Sequence, residues 1–307
     1  MLAIQIKNLY KTYNNGFNAL QNVNLNINPG DFFALLGSNG AGKSTTIGII
    51  TTLLKKTSGN IYIYNNNLDK YPKLAKSYMG FVPQEFNLNI FENSEQILIN
   101  QAGYYGITKK KATPRMEWLL KTIGLWKNRK LTIRYLSGGM KRQLMIARAL
   151  IHKPKILILD EPTAGIDIEN RHNMWSFLTK TNQEGTTILL TTHYLEEAEQ
   201  LCKNIAIIHK GMIVYNSSIQ TLLKTLKKQI FIFNTKQPFQ SPPKLRSIYT
   251  KKIDNYTFEI HIKNNYSLNK IFNSLSKSGF IIHSMRNKTN RLETLFLDLI
   301  NHRHDNH

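Results

Sequence analysis

Nearly continuous apolar runs recur along the first two thirds of the chain. The runs Phe32–Leu36, Lys155–Leu159 and Thr186–Thr192 are typical of strands that are buried on both faces of a sheet. Met79–Gln84 has the same character, except that it ends in a proline and a glutamine. These runs predict the strands of a central sheet.

Other stretches follow different periods. The segment 20–27 places apolar residues at every second position from Val23, which predicts a half-buried strand, and 2–6 and 59–64 are also predicted as strands. Residues 46–54 can form a helix, and the region from about 92 to 131 is predicted to be helical. Apolar residues at 140, 144, 147 and 151 mark a further helix with one buried face.

The last 80 or so residues, 228–307, form a separate unit in this interpretation, predicted as a small α+β lobe. Predicted strands cover 230–233, 256–262 and 280–284, and predicted helices cover 268–275 and 292–300. The proline-rich stretch 237–243 is predicted as a turn or linker. No catalytic constellation occurs in this unit, and we interpret the histidine-containing end, 302–307, as a polar tail rather than a metal site.

Composition excludes several classes of protein. Cys202 is the only cysteine, which rules out a disulfide framework and a thiolate zinc site and favours a reducing compartment. No apolar run approaches the roughly 20 residues needed to cross a bilayer, and the N-terminus lacks a signal pattern, so we expect a soluble chain. The formal net charge of +22 would suit nucleic acid or an anionic membrane surface. Because the lysines are spread along the chain, a solvated basic surface is the preferred interpretation.

One glycine-rich segment fits the pattern G-x-x-x-x-G-K-[ST] and lies between a predicted strand and a predicted helix. Its backbone N–H groups and the helix dipole together favour phosphate. In such a loop the lysine reaches the β- and γ-phosphates and the following hydroxyl holds Mg²⁺. The sequence therefore predicts a nucleoside triphosphate site at residues Gly37, Ser38, Asn39, Gly40, Ala41, Gly42, Lys43, Ser44 and Thr45.

Polar side chains follow the other predicted core strands. Asp160 and Glu161 end an apolar strand, where Asp160 is suited to hold Mg²⁺ and Glu161 to accept a proton from an attacking water. Gln84 and His193 also stand at strand ends, where ligands bind in open α/β sheets.

A second bare helix N-terminus is predicted near the middle of the chain. There Ser137 is suited to cap a helix that starts with Gly138 and Gly139. Such a helix N-terminus predicts a second anion-binding site.

In this order the motifs resemble those of the nucleotide-binding subunit of an ATP-binding cassette (ABC) transporter, over residues 1 to about 225. The resemblance assigns Tyr13 to the aromatic that stacks on the base, and the segment 137–139 with its preceding leucine to the signature. The form of the signature, the segment 160–167 and the segment 292–297 are similar to the type 2 exporter branch, and within it to YadG-like proteins. Two positions depart from the general pattern: Met140 replaces a glutamine, and Ser38 a frequent proline.

The resemblance implies a P-loop (RecA-like) α/β fold with an N-terminal antiparallel β subdomain and a helical subdomain at about 88–150. This ABC domain would occupy 1–227, followed by the accessory α+β domain at 228–307. ATP and Mg²⁺ are the implied cofactors, with Ser44, Gln84 and Asp160 around the metal. The implied catalytic residues are Lys43, Gln84, Glu161 and His193.

The resemblance also implies a head-to-tail homodimer in which Ser137, Gly138 and Gly139 of one subunit meet ATP on the other. The dimer would lie on the cytoplasmic face of the cell membrane, on a separate polytopic permease, with no nucleic-acid partner. The main alternative is a soluble ABC ATPase that acts on nucleic acid or ribosomes, although a single P-loop and the absence of sustained heptads do not favour it. A P-loop kinase or GTPase would leave His193 and the signature unexplained.

Overall fold

The computed structural model describes residues 1–224, 228–245, 248–263, 267–288, 292, 293 and 295. The chain divides into two compact units, Met1–Ser218 and Ile219–His307. The strands of the first unit are β1 (Ile4–Thr12), β2 (Asn18–Ile27), β3 (Phe32–Leu36), β4 (Ser58–Ile63), β5 (Asn66–Asn67), β6 (Met79–Val82), β7 (Ile156–Asp160), β8 (Thr187–Thr192), β9 (Asn204–His209) and β10 (Met212–Ser218). Its helices are α1 (Lys43–Ile50), α2 (Pro72–Ser77), α3 (Ser94–Tyr104), α4 (Lys109–Thr122), α5 (Gly138–Leu150), α6 (Ile168–Gln183) and α7 (Leu195–Leu201).

The central sheet has six strands in the order β10-β9-β3-β8-β7-β6. The five strands from β9 to β6 run parallel, and β10 pairs antiparallel at the edge. All residues of β3, β7 and β8 are buried, as their continuous apolar runs predict. Because the carboxyl ends of parallel strands share one edge of a sheet, the segments after β3, β6, β7 and β8 meet there.

A second sheet, in the order β2-β1-β4-β5, is antiparallel. Its inward residues share one apolar core with Ile47, Ile49 and Ile50 of α1 and with residues of β3 and β7. Helix α1 therefore has apolar neighbours in both sheets. It is shorter than predicted, because the chain turns at Thr51 and Thr52 has a positive φ of 64°.

The region between β6 and β7 is helical, as predicted. Helix α3 begins with a capping box in which Asn93 Oδ1 accepts from the Gln96 N–H and Gln96 Oε1 accepts from the Asn93 N–H. A short 3₁₀ turn at Ile133–Tyr135 leads into α5.

The described residues of the second unit form helices α8 (Ile219–Lys224) and α9 (Leu268–Lys277) and the strands β11 (Lys228–Thr235), β12 (Tyr249–Lys252), β13 (Thr257–Lys263) and β14 (Ile282–Asn287). The strands form an antiparallel sheet in the order β12-β13-β11-β14. Phe231, Phe233 and Phe258 form its core with Ile271 and Leu275 of α9. Strand β12 was not predicted, and the stretch 237–243 lies between β11 and β12. Most of the helix predicted at 292–300, and the tail at 302–307, lie outside the described residues.

Candidate functional site

The glycine-rich loop between β3 and α1 is closed by tight packing. A Cβ atom at Gly37 would lie 2.5 Å from the carbonyl oxygen of Ile208, so no larger residue fits there. Gly42 precedes α1 with a φ of 111°, a left-handed conformation that glycine adopts without strain. The loop therefore exposes the N-terminus of α1 with no side-chain cap, which leaves its N–H groups available to an anion.

Lys43 lies inside this loop and is 5% exposed. Its Nζ donates to the carbonyl oxygens of Gly37 at 2.8 Å and Ser38 at 3.2 Å, and lies 3.7 Å from Glu161 Oε1. The Lys43 amino group therefore lies among carbonyl and carboxylate oxygens beside the uncapped N-terminus of α1. The loop thus combines backbone N–H donors with a lysine side chain, which suits an anion.

The two carboxylates at the end of β7 face this loop and are both buried. Thr191 Oγ1 donates to Asp160 Oδ1, and Ser44 Oγ lies 3.4 Å from the same oxygen. A hydroxyl and a carboxylate oxygen at this separation are ligands that suit Mg²⁺. The residues fit the metal that the motif implies.

Glu161 occupies the centre of the site. Its φ of 47° is left-handed and uncommon for a non-glycine residue, and its N–H donates to Thr191 O and Oγ1, both at 3.1 Å. His193 Nδ1 lies 3.1 Å from Glu161 Oε2, and Gln84 Nε2 donates to that oxygen at 3.4 Å. Four predicted site residues, Lys43, Gln84, Glu161 and His193, are thus brought together.

The second predicted anion site has a different environment. Ser137 caps α5 by accepting from the Met140 N–H at 3.2 Å, as predicted. Ser137 and Gly138 are exposed, and a Cβ atom at Gly138 would have nothing within 4 Å. Ser137 and Gly138 therefore face solvent, whereas Gly139 lies against Asn170 of α6, whose side-chain nitrogen would be 3.2 Å from an added Cβ.

Comparison with known proteins identifies the family. A family model described as ABC transporter matches residues 20–164. The chain is 38% identical over 211 residues to the linearmycin resistance ATP-binding protein LnrL of Bacillus subtilis, covering 69% of this chain and 68% of that protein. It is also 38% identical over 208 residues, 68% of each chain, to the Nod factor export ATP-binding protein I of Cupriavidus metallidurans.

The chain belongs to the ABC transporter family.

Solved structures agree with this assignment. An ATP-binding subunit of an ABC transporter matches with a TM-score of 0.67 and 30% identity, over 72% of this chain and 92% of that one. A dimeric ATP-binding cassette in a post-hydrolysis state with ADP and Pi matches with a TM-score of 0.65 and 30% identity, over 70% of this chain and 98% of that one. The predicted P-loop α/β fold is confirmed. As an ABC ATP-binding subunit of a transporter, the chain belongs to a family whose cassettes bind and hydrolyse ATP.

One of the relatives resembles the chain along nearly its whole length. An uncharacterized ABC transporter ATP-binding protein of Bacillus subtilis, YxlF, is 28% identical over 301 residues, 97% of this chain and 99% of that protein. The likeness therefore extends through the second unit.

The aromatic assigned to the base lies beside the P-loop of this ABC cassette. Tyr13 follows β1 directly, and its hydroxyl is 3.4 Å from Thr45 Oγ1. The ring of Phe17 stacks with that of Tyr13, with 6.5 Å between ring centroids, and Phe17 is 57% exposed. Sequence reasoning did not single out Phe17, because a lone aromatic in a turn carries no pattern of its own.

Sequence reasoning also missed Arg142, which lies on α5 outside the apolar stripe and is 2% exposed. Its guanidinium donates to the carbonyl oxygens of Pro83, at 2.7 Å, and Gln84, at 2.5 Å, and lies 4.8 Å from the Phe86 ring centroid. Burial lowers the pKa of Arg142, and the charge of Asp160 opposes this. One turn and a half further on, Arg148 donates to the Asn87 carbonyl at 2.9 Å. Helix α5 thereby holds the segment that carries Gln84.

Within the described part of the chain, no helix is both long enough and apolar enough to cross a membrane.

Proposed function

We propose that this chain is the ATP-binding and ATP-hydrolysing subunit of a type 2 ABC exporter of the YadG-like kind, located on the cytoplasmic face of the membrane. The observation that carries the proposal is the convergence of Lys43, Gln84 and His193 on Glu161 at the mouth of the P-loop. The names of its relatives, which include linearmycin resistance and Nod factor export, support export as the direction of transport.

The chain's own residues supply distinct parts of nucleotide binding. The N–H groups at the start of α1 and the Lys43 ammonium bind the β- and γ-phosphates, and the Tyr13 ring stacks on the base. Ser44 and Asp160 would hold Mg²⁺, with Gln84 as a third candidate ligand, and the metal would neutralise phosphate charge. The 3.4 Å spacing of Ser44 Oγ and Asp160 Oδ1 supports this assignment.

Glu161 acts as the general base in this proposal. Its carboxylate accepts the proton of the attacking water, while His193 and Gln84 hold the Oε2 oxygen and line the position of the γ-phosphate. Lys43 lies against the other oxygen, Oε1, so both carboxylate oxygens are positioned before the nucleotide binds. Such preorganisation is what general-base catalysis requires.

Hydrolysis is completed by a second copy of the chain. The start of α5 is capped by Ser137, is exposed at Ser137 and Gly138, and has no catalytic side chain among its described hydrogen-bond partners. In a head-to-tail homodimer, Ser137, Gly138 and Gly139 of one subunit contact the ATP held by the P-loop of the other.

The transmembrane partner docks on the surface that follows Gln84. Large apolar side chains are exposed along this stretch and on the neighbouring helix α3. A cavity of about 330 Å³, lined in part by Leu53, Asn87 and Tyr105, also lies in this region. Exposed apolar patches of this kind mark interaction sites. Between Gln84 and Leu136, the exposed large apolar residues are Phe86, Ile90, Phe91, Tyr104, Leu131 and Tyr135.

The test is purification of the tagged chain from detergent-solubilised membranes, followed by ATPase assays of the wild type and of Glu161→Gln. We expect a polytopic membrane protein to co-purify, and Glu161→Gln to lower the hydrolysis rate by about 10²–10⁴-fold, because the general base is lost. ATP binding should persist. Recovery without a membrane partner but with bound nucleic acid would instead support the soluble alternative, which the net charge of +22 suits.

A further inference from the structure

Helix α7 contains a buried carboxyl group that the proposed chemistry does not use. Glu197 is 1% exposed and lies one turn after His193. The indole Nε1 of Trp175, on α6, donates to its Oε1 at 3.2 Å. Burial raises the pKa of Glu197, and the hydroxyls of Thr192 and Thr163, the Trp175 indole and the charge of Arg171 oppose this. A buried acid with so many donors around it is a built feature of the fold.

The two hydroxyls come from the two segments that carry the reacting side chains. Thr163 follows Glu161 by two residues and Thr192 immediately precedes His193, and both threonines are 1% exposed. Thr192 Oγ1 also accepts from the Tyr194 N–H at 3.0 Å, so this hydroxyl braces the turn at His193. The Glu197 carboxyl therefore lies between the Glu161 segment and the His193 segment.

Helix α6 contacts the same group from the other side. Arg171 and Trp175 are one turn apart on α6 and share a face. The Arg171 guanidinium lies 5.5 Å from the Tyr194 ring centroid, and the Tyr194 ring lies 4.1 Å from that of His193. Because α6 begins at Asp167, which caps it, a displacement of residues 164–167 would reach His193 through these contacts.

We propose that Glu197 is a positioning residue for ATP hydrolysis, which holds helix α7, and with it the turn at His193, against Trp175 of helix α6. This inference rests on the proposed roles of Glu161 and His193. Among the described residues, neither Glu197 Oε2 nor Thr163 Oγ1 has a hydrogen-bond partner, although the Thr163 hydroxyl is close enough to lower the pKa of the carboxyl. The contacts that tie His193 to α6 are therefore the Trp175–Glu197 hydrogen bond and the packing of Tyr194 against Arg171 and His193.

The experiment compares Glu197→Leu, Glu197→Gln and Trp175→Phe with the exposed control Glu196→Gln on the same helix, all in the full chain. We expect Glu197→Leu to lower kcat by about tenfold or more with KM for ATP changed by less than about threefold, since binding groups are untouched. Glu197→Gln should keep kcat within about threefold, because its amide keeps an acceptor for Trp175 and adds a donor for a threonine hydroxyl. Trp175→Phe should give an intermediate loss, and Glu196→Gln none.

Several outcomes would overturn the proposal. A folded Glu197→Leu with wild-type kcat would do so, and so would an equal loss in Glu197→Gln, which would indicate that the carboxylate itself is needed in the chemistry. If Glu197→Leu fails to fold, a normal kcat in Trp175→Phe together with an impaired KM in Glu197→Gln would also contradict it. Wild type and Glu161→Gln are assayed in parallel: hydrolysis that does not depend on Glu161 would remove the proposed function, whereas Glu161-dependent hydrolysis with a normal Glu197→Leu would remove only this inference.

Discussion

Two helix N-termini in this chain are alike in sequence and different in surroundings. Helix α1 follows Gly42 and helix α5 begins with Gly138, and each offers backbone N–H groups to an anion. Around α1 the structure places a buried lysine and two buried carboxylates. The start of α5 is exposed, and its described hydrogen bond is the local cap from the Met140 N–H to Ser137.

The difference shows that a helix N-terminus can be suited to bind phosphate without being part of a reaction centre. The dipole and N–H groups come with any bare helix start, whereas the chemistry requires neighbouring strands that end at the same place. At α1 this requirement is met by the carboxyl ends of strands β3, β6, β7 and β8, which share one edge of the sheet. Helix α5 has such an N-terminus without the strand ends, so in the proposed dimer its role would be to bind a nucleotide held by the other subunit.

The largest effect is expected from Gly37→Ala, with Gly138→Ala as its matched partner. The new Cβ at Gly37 would lie 2.5 Å from the Ile208 carbonyl oxygen, so the loop must distort and nucleotide affinity should fall by about 100-fold or more, or more than about 2.7 kcal/mol. The Cβ at Gly138 meets nothing within 4 Å, and the helix should gain about 0.5–1 kcal/mol. Fluorescent-nucleotide binding and thermal unfolding measure both.

The rate of ATP hydrolysis should distinguish the two glycine variants further. Gly138→Ala should bind ATP normally and yet hydrolyse it about tenfold more slowly, because the added methyl group crowds the surface offered to the second subunit. Normal hydrolysis by Gly138→Ala would show that the start of α5 is not used closely by any nucleotide.

Ser137→Arg tests the same surface by charge and bulk. ATP binding to the monomer should be unchanged, because Ser137 is exposed and its hydrogen bond is local. ATP-dependent dimerisation should be blocked, with hydrolysis reduced by about 100-fold. Size-exclusion chromatography with ATP, in a Glu161→Gln background that does not turn over, gives the readout. A dimer that still forms would exclude the signature as the second cradle.

The sequence predicted the P-loop side of this comparison well. The glycine-rich loop, the apolar strands β3, β7 and β8, and the cap at Ser137 are local patterns, and each appears where it was expected. Gln84 and His193 both follow predicted strands. Because parallel strands align their carboxyl ends, the sequence also places these two residues at the same edge of a sheet.

Contacts between distant segments could not be predicted in this way. Arg142 and Glu197 are charged residues on helices, and such residues are most often solvated. Their burial arises because other elements cover them: the backbone of Pro83 and Gln84 in one case, and Trp175 of α6 in the other. The spacing of apolar residues along one helix does not show which distant segments cover a charged side chain. It therefore cannot predict a buried charged group whose partners are backbone carbonyls.

The Arg142→Met variant tests whether helix α5 holds the segment that carries Gln84. Methionine fills the apolar space against Phe86 but cannot donate to the Pro83 and Gln84 carbonyls, so the Gln84 segment should loosen. We expect kcat to fall by about tenfold with little change in ATP affinity, because the P-loop is untouched. Arg148→Met, which removes only the neighbouring contact to Asn87, serves as the control and should have a smaller effect. Equal effects would indicate general loosening of α5 rather than a specific hold on Gln84.

The smallest effect concerns the far end of α5, which is fixed in the fold although its start is open. The ring of His152 stacks on Tyr105 with 3.6 Å between centroids, and its Nε2 lies 3.1 Å from the Met79 carbonyl oxygen. Burial lowers the pKa of His152 to about 4, and its hydrogen bond to Met79 opposes this. Since the unfolded chain takes up the proton near pH 6.5, the free energy of unfolding should fall as the pH drops from about 6.5 to about 4. Partial exposure limits this contribution to about 2 kcal/mol.

Urea unfolding at pH 7 and pH 4.5 measures this effect. The free energy of unfolding should fall less between the two pH values in His152→Phe than in the wild type, because phenylalanine retains the stack without titrating. Equal losses would mean that protonated His152 is accommodated in the fold, and that this end of α5 is as open to water as its start.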